Sequence, residues 1–310
     1  MPLVSAIIPT RGRPALLLRA VASVLSQTIT DLELIVVVDG EDPVTAAALA
    51  GVTDPRLRIQ VNPVSRGSGA SRNLGAGLAT GQWLGFLDDD DEWLPAKLER
   101  QLALVPDAST RTILTCRSAY TTPLGTSVRP REAYLPGTRF DEWLFDRRQL
   151  SGGGSFVQTS SLLLPRTLFQ ECGGFPAHGQ HEDWEFVLTA VQGRGAALLT
   201  APEILVRHYA EEERPSLTTS GPLDGSLSWI ERMRPCISKR AYSGFCLTVV
   251  AHHAKRAGGW RRFATLLGLA LRHGRPTAVQ LLVFLIVCGA PKRLHKWLRR
   301  LRRPVVAAAT

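Results

Sequence analysis

The chain has 310 residues, 45% hydrophobic and 21% charged, which suits one large α/β domain with an appendage or two modest domains and excludes a disordered chain. Its five cysteines are odd in number, widely spaced and without a CxxC pair, arguing against a zinc site or disulfide framework and for a reducing compartment. The net charge of +10 is split unevenly: Glu231 is the last acidic residue, residues 232–310 carry 17 Lys+Arg, and residues 1–231 therefore carry 20 basic against 27 acidic side chains.

From the N-terminus, "MPLVSAIIPT" lacks the basic segment and long apolar run of a secretory signal, so a cytosolic protein is expected. "LVSAIIPT" (Leu3–Thr10) reads as a buried strand and "ALLLRAVASVLSQ" as a helix with Leu17, Val21, Val24 and Leu25 on one face. "DLELIVVVDG" is a second buried strand ending at Asp39 and Gly40, and "RLRIQVN" a third. "GSGASRNLGAGLATG" is a small-residue helix, and "QWLGFLD" a fourth strand running into "FLDDDDEW" (Phe86–Trp93). Strands alternating with crossover helices predict a mostly parallel α/β sheet, whose ligand lies at the carboxyl ends of the strands, where Asp39 and Asp88–Asp91 fall. Beyond residue 93 the pattern is less regular, with an apolar strand after the Gly run of "SGGGSFVQTSSLLLPR" and a helix in "HEDWEFVLTAVQ". After residue 225 the chain reads as helical.

Four adjacent carboxylates suit a hard divalent cation, Mg²⁺ or Mn²⁺, held by one or two carboxylates together with a substrate's phosphates. Strand alternation puts Asp88 and Asp90 on one side and Asp89 on the other. The alternative is a solvated acidic turn that caps the helix expected in "EWLPAKLERQL".

Several motifs in order resemble the glycosyltransferase family 2 enzymes, which are inverting and have the GT-A fold. They are "VSAIIPTRGRP", "LIVVVDGED", "RGSGASRNLGAGLATGQWLGFLDDDDEW", "SSLLLPRTLFQECGGFP" and "HEDWEFVLTA", and the likeness covers roughly residues 3–217. The resemblance implies a GT-A domain over residues 1–222, with a nucleotide-sugar half (1–92) and an acceptor half (93–222). The charge break and the helical pattern set a basic helical tail at 223–310 apart from it. It implies nucleotide-sugar contacts from Pro9, Thr10, Arg11, Asp39, Arg72, Asn73, Asp88 and Asp89. Asp39 would meet the base, though many relatives have two adjacent acids where this chain has Val38-Asp39. Arg72 would counter the diphosphate, or else share with Asn73 a structural role in orienting the acidic loop. Asp90 and His208 would be metal ligands, Asp183 the general base that deprotonates an acceptor hydroxyl, and Glu182 and Trp184 acceptor-positioning groups, with core packing the plainer role for Trp184. Arg207, Arg214 and Ser216 would close over the diphosphate. The donor implied is a UDP- or dTDP-sugar and the cofactor Mn²⁺ or Mg²⁺.

In the tail, "PKRLHKWLRRLRR" places Leu294, Trp297, Leu298 and Leu301 on one helical face amid basic residues, a pattern suited to an anionic membrane surface. "TAVQLLVFLIVCGA" is apolar for 14 residues, short of a bilayer span. Two short helices lying on or dipping into the inner face of the cell membrane are expected, with a lipid-linked or polysaccharide acceptor. The competing tail reading packs the apolar run on the catalytic domain. Nucleic acid is not expected, since no binding module is present. Two other functions compete: a nucleotidyltransferase making nucleotide-sugars, and a non-catalytic membrane-bound scaffold of the same fold.

Overall fold

The computed structural model describes residues 1–105, 111–122, 125–150, 154–176, 180–209, 223–257 and 260–289. The chain divides into two compact units, residues 1–136 with 157–211, and residues 137–156 with 212–310.

In the first unit the apolar runs become strands because their backbones pair and both faces find cover. β1 (Val4–Thr10) is buried at every position and lies parallel to β2 (Leu32–Asp39) and β4 (Trp83–Phe86), and β3 (Leu57–Asn62) flanks β2. The helices α1 (Pro14–Leu25), α2 (Pro43–Ala50) and α3 (Ser68–Leu78) make the crossovers. α1 turns Leu17, Val21 and Val24 to the core; Leu25 is only partly buried. Gly75 on α3 lets the helix close on the sheet, since a Cβ there would lie 2.6 Å from Ile7. In register, Thr10 faces Val38, Asp39 faces Asn62 and Ile7 faces Phe86, so β1, β2 and β4 end at one edge.

The remaining strands make the sheet mixed rather than mostly parallel. They are β5 (Glu92–Trp93), β6 (Thr112–Thr122), β7 (Gly125–Arg129), β8 (Leu163–Pro165) and β9 (Ala197–Tyr209). The order is β3-β2-β1-β4-β8-β6-β9-β5, with β7 on β6; β8 runs antiparallel to β4 and β6, while β9 runs parallel to β6. Glu92 and Trp93 pair with Arg207 and Val206, so α4 (Lys97–Leu102) begins well after the acidic residues. The acids are therefore no helix cap.

The second unit is helical: α5 (Phe140–Phe145), then, beyond α6 (Arg166–Glu171) and α7 (Glu182–Leu188) of the first unit, α8 (Leu223–Met233), α9 (Lys239–Gly244), α10 (Ala251–Ala257), α11 (Trp260–His273) and α12 (Ala278–Gly289). Phe145, Trp229 and Phe245 form its aromatic core, with ring centroids 4.9–6.0 Å apart. Asp141, fully buried, accepts from the Ser238 and Glu142 backbone N–H groups and pairs with Arg139. Residues 137–156, read from sequence as part of the first domain, thus pack with the C-terminal helices. The apolar run "TAVQLLVFLIVCGA" forms α12, and no described helix is long and apolar enough to cross a membrane. The basic stretch 291–303 lies outside the described residues, as do Arg214 and Ser216.

Candidate active site

Asp39 closes β2 and organises the loop behind it. Its carboxylate accepts from the Arg66 and Gly67 N–H groups (2.8 and 2.9 Å) and from Ser65 Oγ (2.7 Å). Burial works against its ionisation, but these bonds outweigh burial and hold it below the usual carboxylate range. Gly40 takes φ +102° with Ser65 against it, so the chain turns where β2 ends and serves this loop. Arg11, exposed, also donates to Ser65 Oγ (2.8 Å), whereas Pro9 is buried within β1.

Arg72, buried on α3, is the hub between the two halves. Its Nη2 reaches Asp88 Oδ1 at 2.5 Å and its Nη1 reaches Glu182 Oε2 at 3.4 Å. Glu182, at the start of α7, fits against the first turn of α3 because residue 69 is glycine; a Cβ there would lie 2.5 Å from its carboxylate. Asn73, one residue on, turns away: it donates to Phe175 O and accepts from Phe175 N–H (2.7 and 2.8 Å), pinning the chain at Phe175.

Asp183 follows Glu182. Its Oδ1 accepts from Trp184 N–H (2.9 Å) and its Oδ2 from Thr159 Oγ1 (3.4 Å). Burial pushes this carboxyl up to about 6, with Arg72 opposing and Asp88 reinforcing the rise. Asp183 therefore lies within electrostatic reach of both Arg72 and Asp88. Trp184 is half-buried, stacks on His181 (4.8 Å) and donates to Val157 O. His181 adopts a left-handed φ of 58° to start the helix, a strained choice for a non-glycine residue.

The acidic run leaves the sheet before it begins. β4 stops at Phe86, and Asp91 N–H donates to Asp88 O (3.1 Å), so residues 88–91 form a turn. Asp88, Asp90 and Asp91 each bring an oxygen within 4.8 Å of the others. Asp89 does point elsewhere, to Thr10 Oγ1 (2.8 Å) and Arg13 Nη1 (3.1 Å), and burial raises its pKa. Strand alternation anticipated Asp88 with Asp90 but not Asp91, which the turn adds. Asp91 is fully buried and accepts from Gln158 Nε2 (2.6 Å) and Ser160 Oγ (2.5 Å). His208, on β9, is not one of the three; its Nδ1 sits 2.8 Å from Asp91 Oδ1 and its ring stacks on Tyr120. Burial disfavours its imidazolium, but Asp91 outweighs burial and raises the pKa. Arg207, on the same strand, faces Glu92 (3.5 Å).

The donor set fits a divalent cation. It is all carboxylate oxygen, and burial together with Asp91, Asp88 and Asp89 pushes Asp90 up to about 7 despite Arg13. Sequence reasoning gave no site role to Arg13, Gln158, Thr159 or Ser160, and it counted Asp91 only within the acidic cluster; the hydroxyl-rich "QTSS" ahead of an apolar strand was the one trace of residues 158–160.

Comparison with known proteins agrees with this arrangement. The solved structures similar over most of the chain include the mannosyltransferase PcManGT from Pyrobaculum calidifontis, in complex with GDP-Man and Mn²⁺. It has a TM-score of 0.60 and 18% identity, over 96% of this chain and 84% of that one. TarS of S. aureus in complex with UDP-GlcNAc has a TM-score of 0.60 and 16% identity, over 93% and 90%. These likenesses establish the GT-A fold. Among curated relatives, the putative colanic acid biosynthesis glycosyl transferase WcaA of Escherichia coli K12 is 25% identical over 89% of this chain and 96% of its own length. The succinoglycan biosynthesis protein ExoO of Rhizobium meliloti is 38% identical, but the match spans 28% of this chain and only 25% of that protein. The model of the family described as "Glycosyl transferase family 2" matches residues 5–172, more than half of the chain and the stretch that contains Asp39, Arg72 and the acidic turn. The chain is a glycosyltransferase and belongs to that family.

Proposed function

We propose that the protein transfers a sugar, with inversion, from a nucleoside diphosphate sugar to an acceptor hydroxyl, with a divalent cation at the acidic turn. The observation that carries this reading is that Arg72 pairs both with Asp88 of the acidic turn and with Glu182, the residue before Asp183, and that its charge acts on the Asp183 carboxyl.

Asp88, Asp90 and Asp91 would hold the cation, which when bound neutralises charge on a departing diphosphate as a Lewis acid. The chain's own groups supply the rest. A carboxyl held near 6 is ionised at neutral pH yet basic enough to accept a proton. Asp183 takes the proton of the acceptor hydroxyl as its oxygen bonds to the anomeric carbon. The bond from that carbon to the diphosphate breaks on the opposite face, and nucleoside diphosphate leaves. Glu182 acts on Arg72 and α3, a positioning role.

A UDP- or dTDP-sugar is the donor we favour. The likeness to polysaccharide enzymes such as WcaA supports a polysaccharide or lipid-linked acceptor. The membrane reading draws on the second unit. α12 exposes Leu282 and Leu285 (44% and 63%) and α11 exposes Trp260 and Leu271 (75% and 59%), beside a tail without acidic residues. A peripheral place on the inner membrane face follows. Co-sedimentation with phosphatidylglycerol vesicles, reduced by Leu285→Glu and absent with phosphatidylcholine, is the expected result.

The test of the chemistry is thermal stabilisation and turnover with UDP-glucose, UDP-N-acetylglucosamine, GDP-mannose and dTDP-glucose, with and without Mn²⁺. Release of nucleoside diphosphate that disappears in Asp183→Asn supports it. Release of pyrophosphate points instead to a nucleotidyltransferase, and no stabilisation by any donor counts against the reading as a whole.

A further inference from the structure

Three consecutive side chains reach different parts of the site. Gln158 Nε2 donates to Asp91 (2.6 Å), Thr159 Oγ1 to Asp183 (3.4 Å), and Ser160 Oγ to Asp91 (2.5 Å) while it accepts from Asp88 N–H (3.1 Å). These residues enter and form the single turn at Thr159–Ser161 that precedes β8. The acids assigned above to the cation and the acid assigned to the proton are thus tied to one piece of backbone.

That backbone is itself held from below. Trp93 Nε1 donates to Ser160 O and Gln101 Nε2 to Ser161 O, both at 2.8 Å. Gln101 Oε1 accepts from Lys97 Nζ (2.7 Å), and the same ammonium lies 4.0 Å over the Trp93 ring. Trp93, Lys97 and Gln101 are buried, and a buried ammonium is costly to keep. Its effect here is orientational. An ammonium only donates, so the Gln101 oxygen must face Lys97 and its NH₂ must face Ser161. A hydrophobic residue at position 97 would leave the amide free to turn over.

We propose that residues 158–160 are a positioning clamp that sets the cation-side acids against Asp183, and that Lys97 is the remote positioning residue that fixes the clamp through Gln101. The inference rests on the cation and base assigned above.

The test measures Mn²⁺ affinity by electron paramagnetic resonance of the free ion, and turnover of a donor from the panel above, for Ser160→Ala, Thr159→Val and Lys97→Met. Ser160→Ala should weaken Mn²⁺ roughly 10-fold, as loss of a group orienting a ligand does, and Ser160→Thr should restore most of it. Thr159→Val should lower kcat roughly 10-fold with donor KM and Mn²⁺ affinity unchanged, and Thr159→Ser should recover it. Lys97→Met should move both readouts in the same directions, each by about 3-fold or more. Should Ser160→Ala fail to fold by circular dichroism, Gln101→Met, which touches no acid, takes its place with the same expectation for Mn²⁺. Mn²⁺ bound as tightly by the Ser160 or Gln101 variant as by the wild type overturns the clamp alone. Mn²⁺ affinity and kcat that respond identically to Thr159→Val and Ser160→Ala overturn the division of labour. A wild-type protein that binds no Mn²⁺ overturns the cation assignment and the Asp91 arm with it.

Discussion

Replacing Arg72 with methionine removes the charge shared by the two halves of the site while keeping most of its volume. The guanidinium is buried, and its loss takes the ion-pair partner from Glu182, also buried, and from Asp88, whose side chain is 28% exposed. Breaking a buried pair by deleting one partner costs about 3–5 kcal/mol. The low end applies, because Asp88 keeps some water and the Glu182 contact is long at 3.4 Å. A loss of about 3 kcal/mol in a unit of this size lowers Tm by roughly 6–12 °C.

The same substitution has a sharper kinetic signature. If Asp183 is the base proposed above, it must be ionised to accept a proton, and kcat/KM should rise with pH through about 6. Arg72 is the foremost influence holding that value down. Without it the acid limb should move to higher pH by about one unit or more, and Arg72→Lys, which keeps the charge but loses the fork, should shift it less. An Arg72→Met protein that folds, turns over donor and keeps its acid limb near 6 would refute the idea that Arg72 sets the proton affinity of Asp183.

Three further outcomes follow from the same geometry. The folded carboxyls of Asp90 (about 7) and Asp183 (about 6) lie above their usual 3.8, so between these values the folded state binds more protons than the unfolded. The metal-free protein should therefore lose stability as pH rises from about 4 to 7, a trend His208 reinforces, and Mn²⁺ should raise Tm more at pH 8 than at pH 5.5. Asn73→Ala should cost about 1–3 kcal/mol through the lost Phe175 bonds, with donor KM within about twofold of wild type if the side chain plays no part in nucleotide binding; a much larger KM change would return Asn73 to the nucleotide. Burial lowers the Lys97 pKa from 10.5 to about 8, so the unfolded state binds the extra proton and stability should rise between those values. Denaturant melts at pH 7 to 10 should show that rise in the wild type and lose it in Lys97→Met.

The nucleotide half was legible because its signals are local. An apolar run that ends in an acid marks both a buried strand and the ligand edge of an α/β sheet, and β1, β2 and β4 end as such runs suggest. The acceptor half was harder, since β8 and β9 owe their places to pairing with strands distant in sequence. His208 meets Asp91 only because β9 runs beside β6 and β5. Residues 140–145 could not be assigned from sequence to the helical unit, since Asp141 and Phe145 find their partners at Ser238, Trp229 and Phe245.

Asp91 shows why a motif can be recognised and still be misread. Alternation is a property of extended backbone, and it lapses once β4 stops at Phe86. In the turn that follows, residues three apart come together, so the fourth acid joins the first. The two kinds of acid then need opposite surroundings. In the proposed reaction the turn faces a cation, whereas Asp183 takes a proton. One guanidinium serves both because it is asymmetric between them, forming a 2.5 Å ion pair with Asp88 but acting on Asp183 only through its field. At Asp183 burial is the largest influence on the proton affinity, with Arg72 opposing it from beyond bonding distance.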